Sequence, residues 1–334
     1  MTTTVDSEQG VFAGLPTPLY RASPSRLSTW ETCPRQYRMK YLDRPTPPTR
    51  RPRAHTSVGL ATHNALRDWW DLPCGERTPR AGATLLRQAW IEVGFRDIEQ
   101  SARWRTRVAG EVERYLGGVD PERQPLGVER TVSMKTAVLA LSGRVDRLDE
   151  RGGELVVVDY KTSRRAPNQD DARTSLPLAM YAASAWTMFR RRCVRVELHH
   201  IPTGTVAGHT HTGESLRRQL GYADSIAGDT RAADRDFALV GVESTWFAPR
   251  PSPLCMWCDY RAACPEGQRV GPEKSSWAAL EIDEPGSDPA GLYEGDGDGQ
   301  GRSRAALGVG ARRGEPEGRS GQDDLGGQPG GGVR

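Results

Sequence analysis

The chain has 334 residues, 36% of them hydrophobic, and a formal net charge of +3, which allows a packed core and excludes a purely disordered or strongly polyanionic protein. No stretch approaches the roughly 20 consecutive apolar residues of a membrane span, and the opening MTTTVDSEQG lacks the basic and apolar regions of a secretory signal, so a cytoplasmic protein that avoids membranes is expected. In that reducing setting the six cysteines read as thiols, metal ligands or redox groups rather than a disulfide framework.

Residues 1–22 carry no periodic pattern and are expected to be disordered. The stretch SRLSTWETCPRQYRMKYLD predicts one short helix capped by Ser28, with Glu31 three residues on, that stops near Pro45. Around it lie Arg35, Arg38, Lys40, Arg44, Arg50, Arg51 and Arg53, interleaved with Tyr37 and Tyr41. Cations and aromatics mixed in this way suit a single-stranded nucleic acid, whose phosphates meet charge while its bases stack. From Ser57, SVGLATHNALRDWWD repeats apolar residues at helical spacing through Leu66, Trp69 and Trp70. His63 sits on this helix, where a lone histidine is more often a packed side chain than a ligand. A second helical region is expected over Ala83–Leu116.

The period then changes. GVERTVSMKTAVLALSGRVDRLDERGGELVVVDYKT alternates or runs in β-branched residues, predicting two or three strands with a turn at Arg151–Gly153. SLPLAMYAASAWTMFRRR returns to helix, CVRVELHHIPTGTVAGHTHT predicts a hairpin around PTG, and a further helix is expected over Glu214–Ala227. His199, His200, His209 and His211 fall in that hairpin and read as polar residues on a solvated face. This order predicts an α/β protein with a mixed central sheet flanked by helices. Beyond Gln268 the chain becomes rich in glycine, as in GDGDGQG and GGQPGGG, and residues 269–334 are expected to form a disordered tail. The folded domain is therefore expected over 23–268.

Only four of the 46 basic residues are lysines, and one of them, Lys161, follows Asp159 by two in LVVVDYKT. Strand alternation puts Asp159 and Lys161 on one face with Tyr160 on the other, and the Arg151–Gly153 turn can bring Asp146 opposite. Two converging carboxylates repel unless a cation lies between them, and a hard oxygen site suits Mg²⁺ or Mn²⁺. The lysine there can orient water and offset charge growing on a phosphoryl oxygen. Glu129 adds an acid upstream. Separately, CMWCDYRAAC supplies Cys255, Cys258 and Cys264, and Cys33 stands far upstream in ETCPRQY. Four thiolates accept either zinc or an iron–sulfur cluster, and either would staple the two ends of the folded part together.

GLATHNAL, SGRVDRLDERGGELVVVDYKT and LPLAMYAASA together resemble the PD-(D/E)xK nuclease domain of the RecB and AddB exonuclease type, related to the Cas4 group, over roughly Ser25–Gln268. The resemblance implies that fold, a Mg²⁺ or Mn²⁺ held by His63, Asp146, Asp159 and the Tyr160 carbonyl, Lys161 as catalytic lysine, and a 4Fe-4S cluster on Cys33, Cys255, Cys258 and Cys264. Glu129 and Tyr181 match further family positions. It also implies a DNA exonuclease of repair or recombination acting on a single-stranded end. The chain has no G-x-x-x-x-G-K-[ST] segment, so a helicase acting in trans is the expected partner. One departure is Pro177, where the family usually has a glutamine, and it opens a second reading as a catalytically weak DNA-binding subunit.

Overall fold

The structure, a computed structural model, describes residues 18–50 and 52–283. Its elements run β1 (Tyr20–Ala22), α1 (Pro24–Thr32), α2 (Pro34–Tyr41), α3 (Ala54–Asp71), α4 (Pro79–Gln88), α5 (Ile98–Leu116), β2 (Gly127–Lys135), β3 (Leu139–Arg151) and β4 (Glu154–Lys161). There follow α6 (Gln169–Thr174), α7 (Leu176–Phe189), β5 (Cys193–His200), β6 (Thr205–Thr210), α8 (Gly213–Val240) and α9 (Pro265–Arg269). One mixed sheet of six strands results, as the alternating pattern predicts: β2, β3 and β4 are an antiparallel meander, β4 runs parallel to β5, and β5 turns back into β6.

The hairpin turns follow from glycine. Gly152 and Gly153 both take positive φ between β3 and β4, and Gly204 does so between β5 and β6, conformations that other residues adopt only with strain. On β4 the side chains divide by parity. Val156, Val158 and Tyr160 enter a core with α3, α4 and α5, whereas Leu155 and Val157 pack against α7. Both faces of β4 are thus covered, which is why its sequence is apolar throughout rather than alternating.

Several boundaries differ from expectation for local reasons. The first helix is two: Pro34 forces Cys33 into an extended conformation, so α1 ends and α2 begins there, and the cap of α1 is Ser23 rather than Ser28. The region Ala83–Leu116 is also two helices, α5 starting afresh at the Asp97 cap. α8 runs on to Val240, well past Ala227. β1 was absent from the expected elements and lies inside 1–22. At the other end Trp277 and Leu280 pack against the α3–α5 core, so the folded part continues beyond Gln268, because two large apolar side chains interrupt the polar composition there. The glycine-rich stretch expected to be disordered lies outside the described residues. Among the described residues no helix is long and apolar enough to cross a membrane.

Candidate active site

β3 is the strand on which the site is built. One edge pairs with β2 along most of its length; the other pairs with β1 only at Leu139–Leu141 and with β4 only from Arg147 onward. Among the described residues, 142–146 therefore have no strand on that edge. The first unpaired carboxylate beyond the β4 ladder is Asp146, and its Oδ2 accepts a hydrogen bond from the backbone N–H of Tyr160 at 2.8 Å. A side chain thus takes the amide where β4 turns away from β3 toward β5, satisfying a donor that burial would otherwise leave open.

Opposite Asp146, between the β2–β3 pairs Val128↔Arg147 and Arg130↔Val145, stands Glu129 with φ +46°. A glutamate in the left-handed region is strained. The irregularity directs its carboxylate into the gap, where it meets Asp146 and His63 of α3. The donor atoms of His63, Glu129 and Asp146 all lie within 4.8 Å of one another, and His63 Nδ1 is 3.4 Å from Asp146 Oδ1. Burial acts to lower the pKa of His63, but the charges of Asp146, Asp159 and Glu129 carry it above its ordinary value. Asp159 projects next to this group and is held by Lys161, with Nζ 2.6 Å from Oδ2. Burial, together with the neighbouring charge of Asp146, raises the Asp159 carboxyl above the usual range against the pull of Lys161. His63, Glu129 and Asp146 line one cleft of about 340 Å³ together with Asn64, Arg67, Arg144 and Tyr181, and the Asp159–Lys161 pair stands beside it.

The sequence profile of the PD-(D/E)XK nuclease superfamily matches residues 21–265. The chain belongs to that superfamily. No curated protein matches. Among solved structures, a candidate exonuclease from Eubacterium rectale is similar at 11% identity, covering 72% of this chain and 87% of its own, with a TM-score of 0.39. A crystal structure of SSO0001 is similar at 14% identity, covering 75% and 87%, with a TM-score of 0.31. Both likenesses are too loose to bear on substrate or mechanism.

Within the nuclease domain Tyr181 reaches the cleft from α7 because Gly143 makes room: a Cβ at Gly143 would lie 2.6 Å from the Tyr181 ring. Burial and the charges of Asp159 and Asp146 push the phenol up to about 12, so it stays a neutral donor. Pro177 lies in the first turn of α7, where its missing N–H costs the helix nothing.

Behind the site is a second charged group that sequence reasoning missed. Arg147 and Tyr160 point to the opposite side of the sheet from Asp159 and Lys161. There the Tyr160 hydroxyl accepts from Trp70 Nε1 at 3.2 Å and from Arg147 Nη1 at 3.1 Å. Arg147 in turn pairs with Asp149, Arg151 bridges Asp149 and Glu197, and Glu197 accepts from His199. Burial acts to raise Glu197, yet hydrogen bonds from His199, Arg151 and Arg195 hold its carboxyl well below the usual range. The visible signal was DRLDER itself, a cluster of charges on a strand next to the apolar run of β4. His199, His200 and His211 are buried, not solvated as expected: His199 contacts Tyr115 and Glu197, His200 contacts Thr203 and the Ser163 carbonyl, and His211 contacts Ser215.

The arginine run near Cys33 is also redirected. Arg35 donates to the Phe247 carbonyl, Arg38 pairs with Asp43, Arg50 with Glu273, and Arg53 with Asp259 and the Trp257 carbonyl. The ties of Arg35, Arg50 and Arg53 fasten the N-terminal part of the fold to residues 247–273, so these arginines hold the fold together, while Lys40 and Arg44 are exposed. Arg51 lies outside the described residues. Cys33, Cys255, Cys258 and Cys264 line one cavity, into which the backbone amides of Arg250, Ser252 and Gly267 point at the sulfurs of Cys33, Cys255 and Cys264.

Proposed function

We propose that the protein is a divalent-metal-dependent deoxyribonuclease of the RecB and AddB type, acting as an exonuclease in DNA repair or recombination. The observation that carries the reading is the convergence of His63, Glu129 and Asp146 within 4.8 Å beside the Asp159–Lys161 pair. Their donor set, one imidazole nitrogen and carboxylate oxygens at a cleft, fits Mg²⁺ or Mn²⁺. Burial, and after it the charge of Asp146, raises Asp159, and a bound cation would offset both. His63, Asp146 and Asp159, with the Tyr160 carbonyl, would hold it, and the strained Glu129 supplies a further oxygen. A divalent cation bound there supplies Lewis acidity for phosphodiester hydrolysis. Lys161 orients the attacking water and offsets charge on the phosphate, Asp159 fixes the ammonium by its 2.6 Å contact, and Tyr181 donates from the α7 side.

Four thiols around one cavity, with three amides aimed at their sulfurs, support a 4Fe-4S cluster as a structural staple. Strand separation falls to a helicase partner. The weak-subunit reading rests on Pro177 alone, whereas the acidic and lysine groups of the cleft are complete.

Digestion of end-labelled single- and double-stranded DNA with Mg²⁺ or Mn²⁺ tests the proposal. Cleavage is expected in the wild type, abolished by chelation and lowered at least about 100-fold in Lys161→Ala. Equal rates for the two proteins would remove the role of Lys161, and salt-sensitive DNA binding without cleavage under either metal would leave the binding-subunit reading.

A further inference from the structure

The strand pairing places a polar, basic strip next to the site. Moving along β3 away from Asp146, the register sets Arg144 beside Thr131, Ser142 beside Ser133, and Ala140 between Lys135 on β2 and Arg21 on β1. Laterally paired residues project from the same face of a sheet, and Thr131, Arg144, Ser133, Ser142, Lys135 and Arg21 are all exposed. Alternate residues Val132, Leu139, Leu141 and Val145 are buried on the other face. The strip therefore has three rows, each two residues apart. It spans about 20 Å from Asp146 to Ala140 at the usual rise per strand residue.

The charge along these rows has one sign. Arg144 neutralises Glu129 at the edge of the site, with Nε 2.8 Å from Oε2. Beyond it come two serines and then Lys135 and Arg21, and no acid lies on any of the three rows. Neither Arg21 nor Lys135 forms an ion pair with a described residue. The far rows border an open cleft of about 840 Å³, and Ser23 lines both this cleft and the one holding His63 and Asp146. Exposed cations that form no ion pair with a described residue, hydroxyls between them and a cleft that meets the carboxylate cleft at Ser23 fit a chain of phosphates.

We infer that the exposed face of β1, β3 and β2 is the track for a single DNA strand, with Arg21 and Lys135 binding phosphates some three rows from the scissile bond. This rests on the nuclease reading of the site and names the path its substrate takes. Lys135 and Arg21 flank Ala140 in one row, two strand spacings or about 10 Å apart, a width that takes one phosphate backbone; a duplex presents two. The rows also follow one another at a spacing close to that of successive phosphates on an extended strand.

The experiment measures binding of a fluorescent single-stranded oligonucleotide of about 12 nucleotides, within the range such grooves hold, in Ca²⁺ over a series of salt concentrations. The double variant Arg21→Ala/Lys135→Ala is expected to bind about 10-fold more weakly, with a salt slope lower by about 1.4, or 0.7 for each of two phosphates. A control with the same charge change on α8, Arg217→Ala/Arg218→Ala, is expected to retain wild-type affinity. Hydrolysis of thymidine 5′-p-nitrophenyl phosphate, too short to reach the strip, is expected at equal kcat/KM in wild type and double variant. Equal affinity and salt slope for the two proteins would overturn the inference, as would duplex binding as tight as single-strand binding. A wild type that binds the oligonucleotide at this strip yet hydrolyses nothing would defeat the nuclease reading alone.

Discussion

The two sides of the β3–β4 junction handle charge in opposite ways. On the front, Asp146, Glu129 and Asp159 face one imidazole, one lysine and, at the edge, Arg144, and the carboxyl of Asp159 is raised by burial and then by the charge of Asp146. On the back, Arg147, Asp149, Arg151, Glu197 and His199 form a closed set of ion pairs, and Glu197 is lowered by its partners. Neighbouring residues of the same strands thus crowd carboxylates at a cleft on one side and close them into ion pairs in the interior on the other. Crowded carboxylates are costly to keep without a ligand and useful with one; a closed network serves to hold shape.

If this contrast is right, substitutions on the two sides separate activity from stability. On the front, Asp146→Asn retains an acceptor for the Tyr160 amide but removes a charge. Cleavage should fall at least about 100-fold, while the urea midpoint stays the same or rises because carboxylate repulsion is relieved. On the back, Arg147→Met leaves Asp149 buried without its main partner, and unfolding free energy should fall by about 3–5 kcal/mol. A destabilised Asp146→Asn together with an undisturbed Arg147→Met would reverse the assignment of the two sides.

Much of the front was legible. Asp159 and Lys161 are two apart on a strand ending an apolar run, and parity alone puts them on a common face. Asp146 needed only the glycine turn to bring it opposite. Glu129 was visible as an acid, but not its positive φ, because a local distortion is set by the partner strand and not by nearby sequence. The back was hidden for a related reason. Arg147, Asp149 and Glu197 look like surface residues in sequence, and only the pairing of β3 with β4 and of β4 with β5 shows that they neutralise each other in the interior. The arginines near Cys33 misled in the same way, since their carbonyl and carboxylate partners lie over two hundred residues away. The helix break at Cys33 was legible from Pro34 and was missed because the apolar period continues through it.

The contact between the two sides is Tyr160, whose backbone meets Asp146 and whose hydroxyl meets Trp70 and Arg147. Trp70→Phe keeps an aromatic ring in the core and deletes the indole donor. The expected loss is about 1–2 kcal/mol from the hydrogen bond and the smaller ring, read from urea unfolding. Cleavage should change much less than in Asp146→Asn, since Arg147 still holds the hydroxyl. A cleavage loss equal to that of Asp146→Asn would make the back a direct part of the catalytic geometry.

The smallest effect expected is in the histidines, and it has opposite signs on the two sides. His63, surrounded by carboxylates, has its pKa raised in the folded protein. Its protonation therefore contributes stability that is fully present below the unfolded value near 6.5 and is lost as pH rises through the folded value. His199 is lowered by burial despite Glu197, and His211 is lowered to about 4 by burial and by His209. Those two contribute stability that is present above about 6.5 and is lost as pH falls toward their folded values. NMR titration of the metal-free protein should show His63 releasing its proton above pH 6.5 and His211 releasing its proton near 4. Asp146→Asn should lower the pKa of His63 and leave that of His199 unchanged, because the carboxylate it removes faces only the front. A His63 that titrates below His199 would mean that burial, and not the acid cluster, sets the charge of the cleft.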